Sequence, residues 1–376
     1  MANPTAASMD PGELRDQRIS TVTAFPVSSR YPRRIGRNAR LGSHGTGPTS
    51  TAVAVTTEDG VSGWGLASGP VAGLATHLVG RLVADVIHPA IGVVEPVAEA
   101  ADIALHDLAS RLMGVPVATL FGSAGRDALP VYSGAIYFAD LDAAPGTDPV
   151  EAVLDHCRED LAAGYRALKL KVGRGNRWMD HDDGLARDIE VTRSVRAAFP
   201  DARLLVDAND GWSLNDCLSY LDAVADCELD WVEEPFREEP DSLRALRRWR
   251  DDTGAEFLLA DGETDPDVGQ LLELAADGLV DVLLMDVLSF GLTAWRCVTP
   301  TVHASGARMS PHAWGEPLKT CYCAAMGSGL GQVDIVEGVP GVVDGVDTSG
   351  YRLAHGTLSL PTTPGFGIPL PATARS

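Results

Sequence analysis

Basic charge is scarce in this chain. Its 376 residues include 30 Lys+Arg against 52 Asp+Glu, a formal net charge of -22. A surface of that sign repels nucleic acid and anionic membranes unless basic residues are concentrated locally, so neither is expected as a partner. Long apolar runs are also missing. Stretches such as 280–288 fall far short of the roughly 20 residues that a spanning helix needs. Residues 1–17 have no apolar core and carry acids early, so they read as a frayed tail rather than a secretory signal. The cytoplasm is the expected location. Cysteine is sparse, with six in the chain, and Cys321 and Cys323 have no second pair at zinc-site spacing. Small, reduced, buried thiols fit that pattern better than a metal site. Gly173-Arg174-Gly175 lacks the third glycine of a dinucleotide fingerprint, and Gly327, Gly329 and Gly331 miss its spacing. Hydrophobic residues are not short, at 45% of the chain, which supplies a core and excludes global disorder.

Two textures follow one another. Ile19, Val22 and Phe25 start an extended run, TAVAVTT (51–57) a second, and Asp59-Gly60 is a hairpin turn before a third at 61–65. Pro96 opens a helical stretch. Ala101, Leu105, Leu108 and Leu112 make one apolar stripe, and Gly114 ends it. Beyond residue 129, short apolar runs alternate with amphipathic segments: PVYSGAIY, ALKLKVG, RLLVDAN, WVEEP, FLLADGE, DVLLMDV, RMSPHA and VDIVEGV. Eight strands, each separated by room for a helix, predict an α/β chain with a closed (β/α)8-type barrel. The expected division is a tail over 1–17, an α+β capping domain over 18–128, the barrel over 129–341, and a C-terminal segment over 342–376. In that last segment TLSLP is expected to return to the cap as a strand.

The chemistry lies in polar residues at strand ends. Alternate residues of a barrel strand face the axis. Lys169 and Lys171 therefore point inward, while Leu168, Leu170 and Val172 meet the helices. Two inward ammonium groups need partners, unless both sit at a solvated strand end. Asp207, Glu233 and Glu263 end the next three strands, 36, 26 and 30 residues apart, about one β/α unit each. They fall at one height on the C-terminal face, where barrel sites form. A lone carboxylate there is usually a helix cap. Three together repel unless a cation lies between them, and all-oxygen ligands suit Mg²⁺. Asp286, His312 and Glu337 continue the series at 23, 26 and 25 residues. An Asp beside a His orients the imidazole and raises its basicity. Lysine, metal and a His–Asp pair together suit removal of a proton next to a carboxylate, with the enediolate stabilised as it forms. Enolase-type sites are the established example of this chemistry, pairing a Lys or His base with Mg²⁺.

These residues resemble the enolase superfamily, mandelate racemase subgroup. Lys169-Leu170-Lys171, Val206-Asp207-Ala208-Asn209, Glu233-Glu234-Pro235, Gly262-Glu263, Asp286 and Ser310-Pro311-His312 occur in family order, and the likeness covers nearly the whole chain. The resemblance implies Asp207, Glu233 and Glu263 as Mg²⁺ ligands. It implies Lys171 as a general base, Lys169 on the substrate carboxylate, and His312 as second acid/base polarised by Asp286. Glu337 matches the position that hydrogen-bonds the substrate carboxylate. Asp261, two residues before Glu263 and on the same strand face, is a competing third ligand, and the Gly-Glu pair favours Glu263. A homo-oligomer is implied as well.

The loop between the first two cap strands resembles a substrate gate. No acid occurs from Thr21 to Thr57, yet Arg30, Arg33, Arg34, Arg37 and Arg40 do, among Gly36, Gly42, Gly45 and Gly47. Such a loop suits a polyhydroxylated or dicarboxylic anion, or else is a solvated loop whose arginines pair with acids elsewhere. Arg30, Arg37, Asn209 and Trp314 are the candidate substrate contacts, although Trp178, Trp212 and Trp314 suit core packing equally. Residues 60–69, with Trp64, form a second candidate lid. The expected substrate is a small anionic carboxylate. The expected reaction is dehydration of an acid sugar to a 2-keto-3-deoxy acid. Racemisation or epimerisation of a 2-hydroxy acid needs the same two groups. A metal-dependent hydrolase would carry His-x-His on its first strand, which PVYSGAIY lacks. A non-catalytic metal-binding barrel would be expected to have lost some of the set.

Overall fold

The computed structural model describes residues 12–122 and 126–375. Residues 1–11 of the expected tail lie outside the described residues. The remainder is not frayed, because Gly12–Arg15 form a helical turn that buries Leu14 completely. The cap is an antiparallel sheet of β1 (Ile19–Arg30), β2 (Thr49–Thr57) and β3 (Ser62–Leu66). Helix α1 (Asp102–Leu112) lies on β3. Gly63 permits that approach, since a Cβ there would sit 2.2 Å from the backbone nitrogen of Leu108. The sequence gives α1 one apolar stripe, but Asp102 to Ser110 are all buried. The helix is enclosed between cap and barrel, and its polar residues find partners. Asp102 receives His106 and also caps a barrel helix, accepting the backbone N–H groups of Leu292 and Thr293 at 2.6 and 3.1 Å.

The barrel strands are β4 (Ala128–Ile136), β5 (Ala167–Lys171), β6 (Arg203–Asp207), β7 (Trp231–Glu233), β8 (Leu258–Asp261), β9 (Val282–Leu283), β10 (Arg308–Met309) and β11 (Val336–Gly338). All neighbours pair in parallel. A bridge from Met309 to Val333 and the β11–β4 pairing close the ring. Seven α-helices, α2 to α8, follow β4 to β10: Pro149–Ala162, His181–Ala198, Leu214–Ala223, Pro240–Thr253, Val268–Ala276, Leu292–Ser305 and Pro317–Leu330. The chain leaves β11 for the cap, where β12 (Val342–Val343) pairs with Ser29 and Arg30.

The last segment departs from its expected path. Thr357–Ser359 pairs with Ala128–Pro130 at the start of the barrel, not with the cap, because Leu358 is buried there. The return to the cap is made further on, where Trp64 Nε1 and Arg111 donate to the Ile368 carbonyl. The proposed lid at 60–69 is likewise structural. Trp64 belongs to β3, is 3% exposed, and takes its backbone partner from Asp107.

Inside the barrel lies a separate apolar layer of Tyr132, Ala167, Leu205, Trp231, Ala260, Val282, Leu284 and Ile335. Tyr132 on β4 and Trp231 on β7 are not ladder neighbours. Their edge contact at 5.4 Å therefore crosses the interior.

Candidate active site at the carboxyl ends of the strands

Strand register builds two thirds of the acidic cluster. Lys171 pairs with Asp207, and Asp207 with Glu233, so the three stand side by side on β5, β6 and β7. The next ladder partner is Ala260, and Glu263 lies three residues beyond it. Gly262 has φ of +113°, a region that side chains other than glycine's rarely adopt, and it turns Glu263 back towards the cluster. Carboxylate oxygens of Asp207, Glu233 and Glu263 then lie within 4.8 Å of one another. The same turn breaks the parity that placed Asp261 beside Glu263. Asp261 is buried outside the cluster. Burial and the Glu238 and Asp210 carboxylates push its carboxyl well up.

Both lysines are buried, so the reading of a solvated strand end does not hold. Lys169 reaches Glu233 Oε1 at 2.5 Å, Glu337 Oε1 at 3.1 Å and Asp207 Oδ2 at 3.4 Å. Lys171 binds Asp207 Oδ2. Burial alone would discharge these amines, but the neighbouring carboxylates overrule it and hold both lysines charged. Burial raises Asp207 too, and Lys171 with Lys169 reverses this and holds it well below the usual range. Glu233 goes the other way, pushed up by burial and by Asp207.

The far side of the cluster belongs to His312. Its Nδ1 meets Asp286 Oδ2 at 2.8 Å, and its Nε2 lies 3.4 Å from Glu263 Oε1. Lys319, at the start of α8, binds the same Asp286 oxygen. Burial would raise Asp286, but His312 and Lys319 together depress it strongly. An ionised Asp286 makes Nδ1 a donor and turns Nε2 towards the cluster. Glu337 already has partners within the protein. It accepts from the backbone N–H groups of Ala313 and Trp314 at 2.7 and 2.9 Å and pairs with Lys169. Burial raises its carboxyl, yet Lys169 and His312 outweigh burial and lower it to about 2. Glu337 anchors Lys169 and the loop after His312.

The arginine-rich loop covers this face, but not with its arginines. Arg30 pairs with Asp344, and Arg37 with Asp142 while lying over Trp178. Arg33 pairs with Asp160 and Arg40 with Asp210. Each acid comes from outside the loop, so Arg30 and Arg37 are removed from the substrate contacts. The loop is docked through its backbone. Trp178 Nε1 donates to the Asn38 carbonyl at 2.6 Å, and Asn176 to that of Ala39 at 3.0 Å. What it brings to the cluster is His44, packed with Tyr137 and Trp314. Asn209 is buried beside the cluster, its Nδ2 3.5 Å from Glu263 Oε1. Sequence reasoning passed over Tyr137, His44 and Lys319. Tyr137 ends the first barrel strand, the same position that carries the chemistry on the other seven, and so was findable. His44 was hidden behind the charges of its loop, and Lys319 carries no strand-end signal. A cavity of about 980 Å³ lies elsewhere, among Arg196, Arg203, Trp249 and Arg308, and holds none of these residues.

Residues 152–374 match the family described as enolase C-terminal domain-like. The chain belongs to the enolase superfamily, mandelate racemase subgroup. It is 27% identical over 280 residues to the D-galactarolactone cycloisomerase of Agrobacterium fabrum, covering 71% of this chain and 69% of that one. Among solved structures it resembles a mandelate racemase/muconate lactonizing protein from Geobacillus sp. Y412MC10 complexed with magnesium and tartrate. That match has 29% identity and a TM-score of 0.91, over 97% and 96% of the two chains. It also resembles a variant of a Geobacillus galacturonate dehydratase complexed with Mg, with 29% identity and a TM-score of 0.89, over 94% and 93%. These superfamily relatives are enzymes, and the acidic cluster of this chain is of the kind that holds Mg²⁺.

A direct feature of the cluster agrees with such an ion. Oε2 of Glu233 and Oε2 of Glu263 are buried without a hydrogen-bond partner among the described residues. Buried carboxylate oxygens left unpaired are costly unless a cation takes them. Asp207, Glu233 and Glu263 would hold the ion.

Proposed function

We propose that this enolase-superfamily chain removes the proton α to the carboxylate of a small acid sugar and expels the β-hydroxyl, giving a 2-keto-3-deoxy acid. One observation carries the reading: Lys171 stands at the Asp207 end of the acidic cluster and His312 at the Glu263 end. A substrate between them presents opposite faces of one carbon to two proton-transfer groups. Lys171 takes the α proton as the free amine, after it has given up its own proton on release from Asp207. Lys169 holds the substrate carboxylate. His312, oriented by Asp286, enters the step protonated and gives its Nε2 proton to the departing hydroxyl, which leaves as water. When bound, Mg²⁺ supplies the positive charge that stabilises the developing enediolate. On the family resemblance alone, the protein is further taken to be a cytoplasmic homo-oligomer.

The two-ended arrangement also suits racemisation or epimerisation, in which Lys171 and His312 protonate opposite faces. A screen of acid sugars, hydroxy acids and their lactones with MgCl₂ separates the readings. Dehydration yields a semicarbazide-reactive keto acid. A racemase run in D₂O yields recovered acid deuterated at the α carbon and no keto acid. Neither product from any acid, with Mg²⁺ present, would sink both.

A further inference from the structure

His44 is used neither by the acidic cluster nor by the two acid/base groups, yet its ring lies at their edge. It packs edge-on against Tyr137, with centroids 4.8 Å apart, and against Trp314 at 6.0 Å. The indole Nε1–H of Trp314 donates to His44 Nδ1 at 3.4 Å. An indole nitrogen can only donate, so Nδ1 is the unprotonated nitrogen, and the proton of the neutral ring sits on Nε2. Burial first, and Lys171 second, lower His44 to about 4, which keeps the ring neutral at pH 7. Nε2 is itself buried and has no hydrogen-bond partner among the described residues. Lys171 and Glu263 both lie near enough to act on it electrostatically. The loop holds this ring by its backbone: His44 N donates to the Ile35 carbonyl at 3.1 Å, and Ile35 bridges to Gly45.

A buried donor with no acceptor is unfavourable. One beside the reacting groups is completed by an acceptor that arrives with the substrate. The carboxylate is already provided for by Lys169, and a neutral N–H suits a neutral oxygen. We propose that His44 recognises substrate, its Nε2–H donating to a hydroxyl oxygen beyond the carbon that loses its proton. This role rests on the acid-sugar reading above and makes the loop's contribution one of hydrogen bonding rather than charge.

Two measurements test it on the full-length protein. A long-range ¹H–¹⁵N spectrum with labelled histidine, assigned through His44→Gln, should show the Nε2–H form at pH 7. The Nδ1–H form would overturn the proposal without any activity being measured. The second measurement compares D-galactonate, D-galacturonate and galactarate, whichever turns over, with glycerate. Glycerate keeps the carboxylate, the α proton and the β-hydroxyl but has no hydroxyl further out. His44→Phe should lower the ratio of kcat/KM for the six-carbon acid to that for glycerate by about 30-fold, mostly through KM. His44→Gln, which retains a donor, should restore part of the ratio and guards against a folding loss in the Phe variant. A ratio unchanged within about threefold sinks the His44 assignment alone. Absence of turnover by the unaltered protein sinks the acid-sugar reading, and the hydroxyl partner with it.

Discussion

On the inner face of this barrel, oil and charge are two residues apart. Ala167 precedes Lys169, Leu205 precedes Asp207 and Trp231 precedes Glu233, each pair on one strand and one face, and Ile335, just ahead of β11, precedes Glu337 in the same way. The lower layer is packed apolar side chains. The upper layer is ammonium groups and carboxylates, with three buried carboxylate oxygens, on Glu233, Glu263 and Glu337, left without a hydrogen bond among the described residues. Both hang from the same ladder, so the plug fixes the strand spacing that places the charges. The contrast assigns stability to one layer and chemistry to the other.

The strongest way to break that division is Lys171→Ala, which should lower turnover of the screened acid about 10³–10⁴-fold. Stripping the metal with a chelator should abolish turnover. Turnover that survives either treatment would refute the proton-abstraction reading. The next pair sharpens the comparison. Trp231→Ala in the plug should cost about 3–5 kcal/mol of stability, read by denaturant unfolding. Glu263→Gln in the upper layer should instead remove the gain from Mg²⁺, about 2.7 kcal/mol at 100 times Kd. If Trp231→Ala left stability intact, the plug would not be the structural layer.

A smaller effect concerns pH. The Glu337 carboxyl is held at about 2, against an ordinary 4.5. Below pH 4.5 the unfolded chain takes up this proton first. The stabilisation from Glu337 is therefore complete above that pH and is lost as the pH falls towards 2. Unfolding curves for the protein and for Glu337→Gln should converge over that window, and parallel curves would remove Glu337 from the ion-pair network. The smallest effect is Arg37→Ala. Its pair with Asp142 is a third or more exposed on both sides, so kcat/KM should move by under about threefold. A larger loss would return Arg37 to the substrate contacts.

The barrel was legible because strand-helix alternation repeats and because an ionisable residue in an apolar strand stands out. Strand parity then brought Lys169, Lys171, Asp207 and Glu233 to one face. Parity failed at Gly262, where a positive φ replaces the pleat, and it misplaced Asp261. Charge counting failed in the arginine-rich loop, since a run of arginines says nothing about which acids lie across from it. His44 escaped for a related reason: a single neutral ring is recognisable only once Trp314 is seen to point at it. Glu337 was found, but its charge state depends first on Lys169 and His312, which the fold brings beside it from other strands.

The contact at Asp102 has a consequence for modularity. A cap residue supplies the start of a barrel helix with its acceptors, and β12 crosses in the opposite direction to extend the cap sheet. A boundary drawn near residue 128 divides the sequence but not the folding unit. A barrel expressed from residue 129 onward would leave the N–H groups of Leu292 and Thr293 without their carboxylate. A cap exchanged with a relative's would need Asp102, or a matching acid, to dock on this barrel. Cap and barrel are therefore one folding unit.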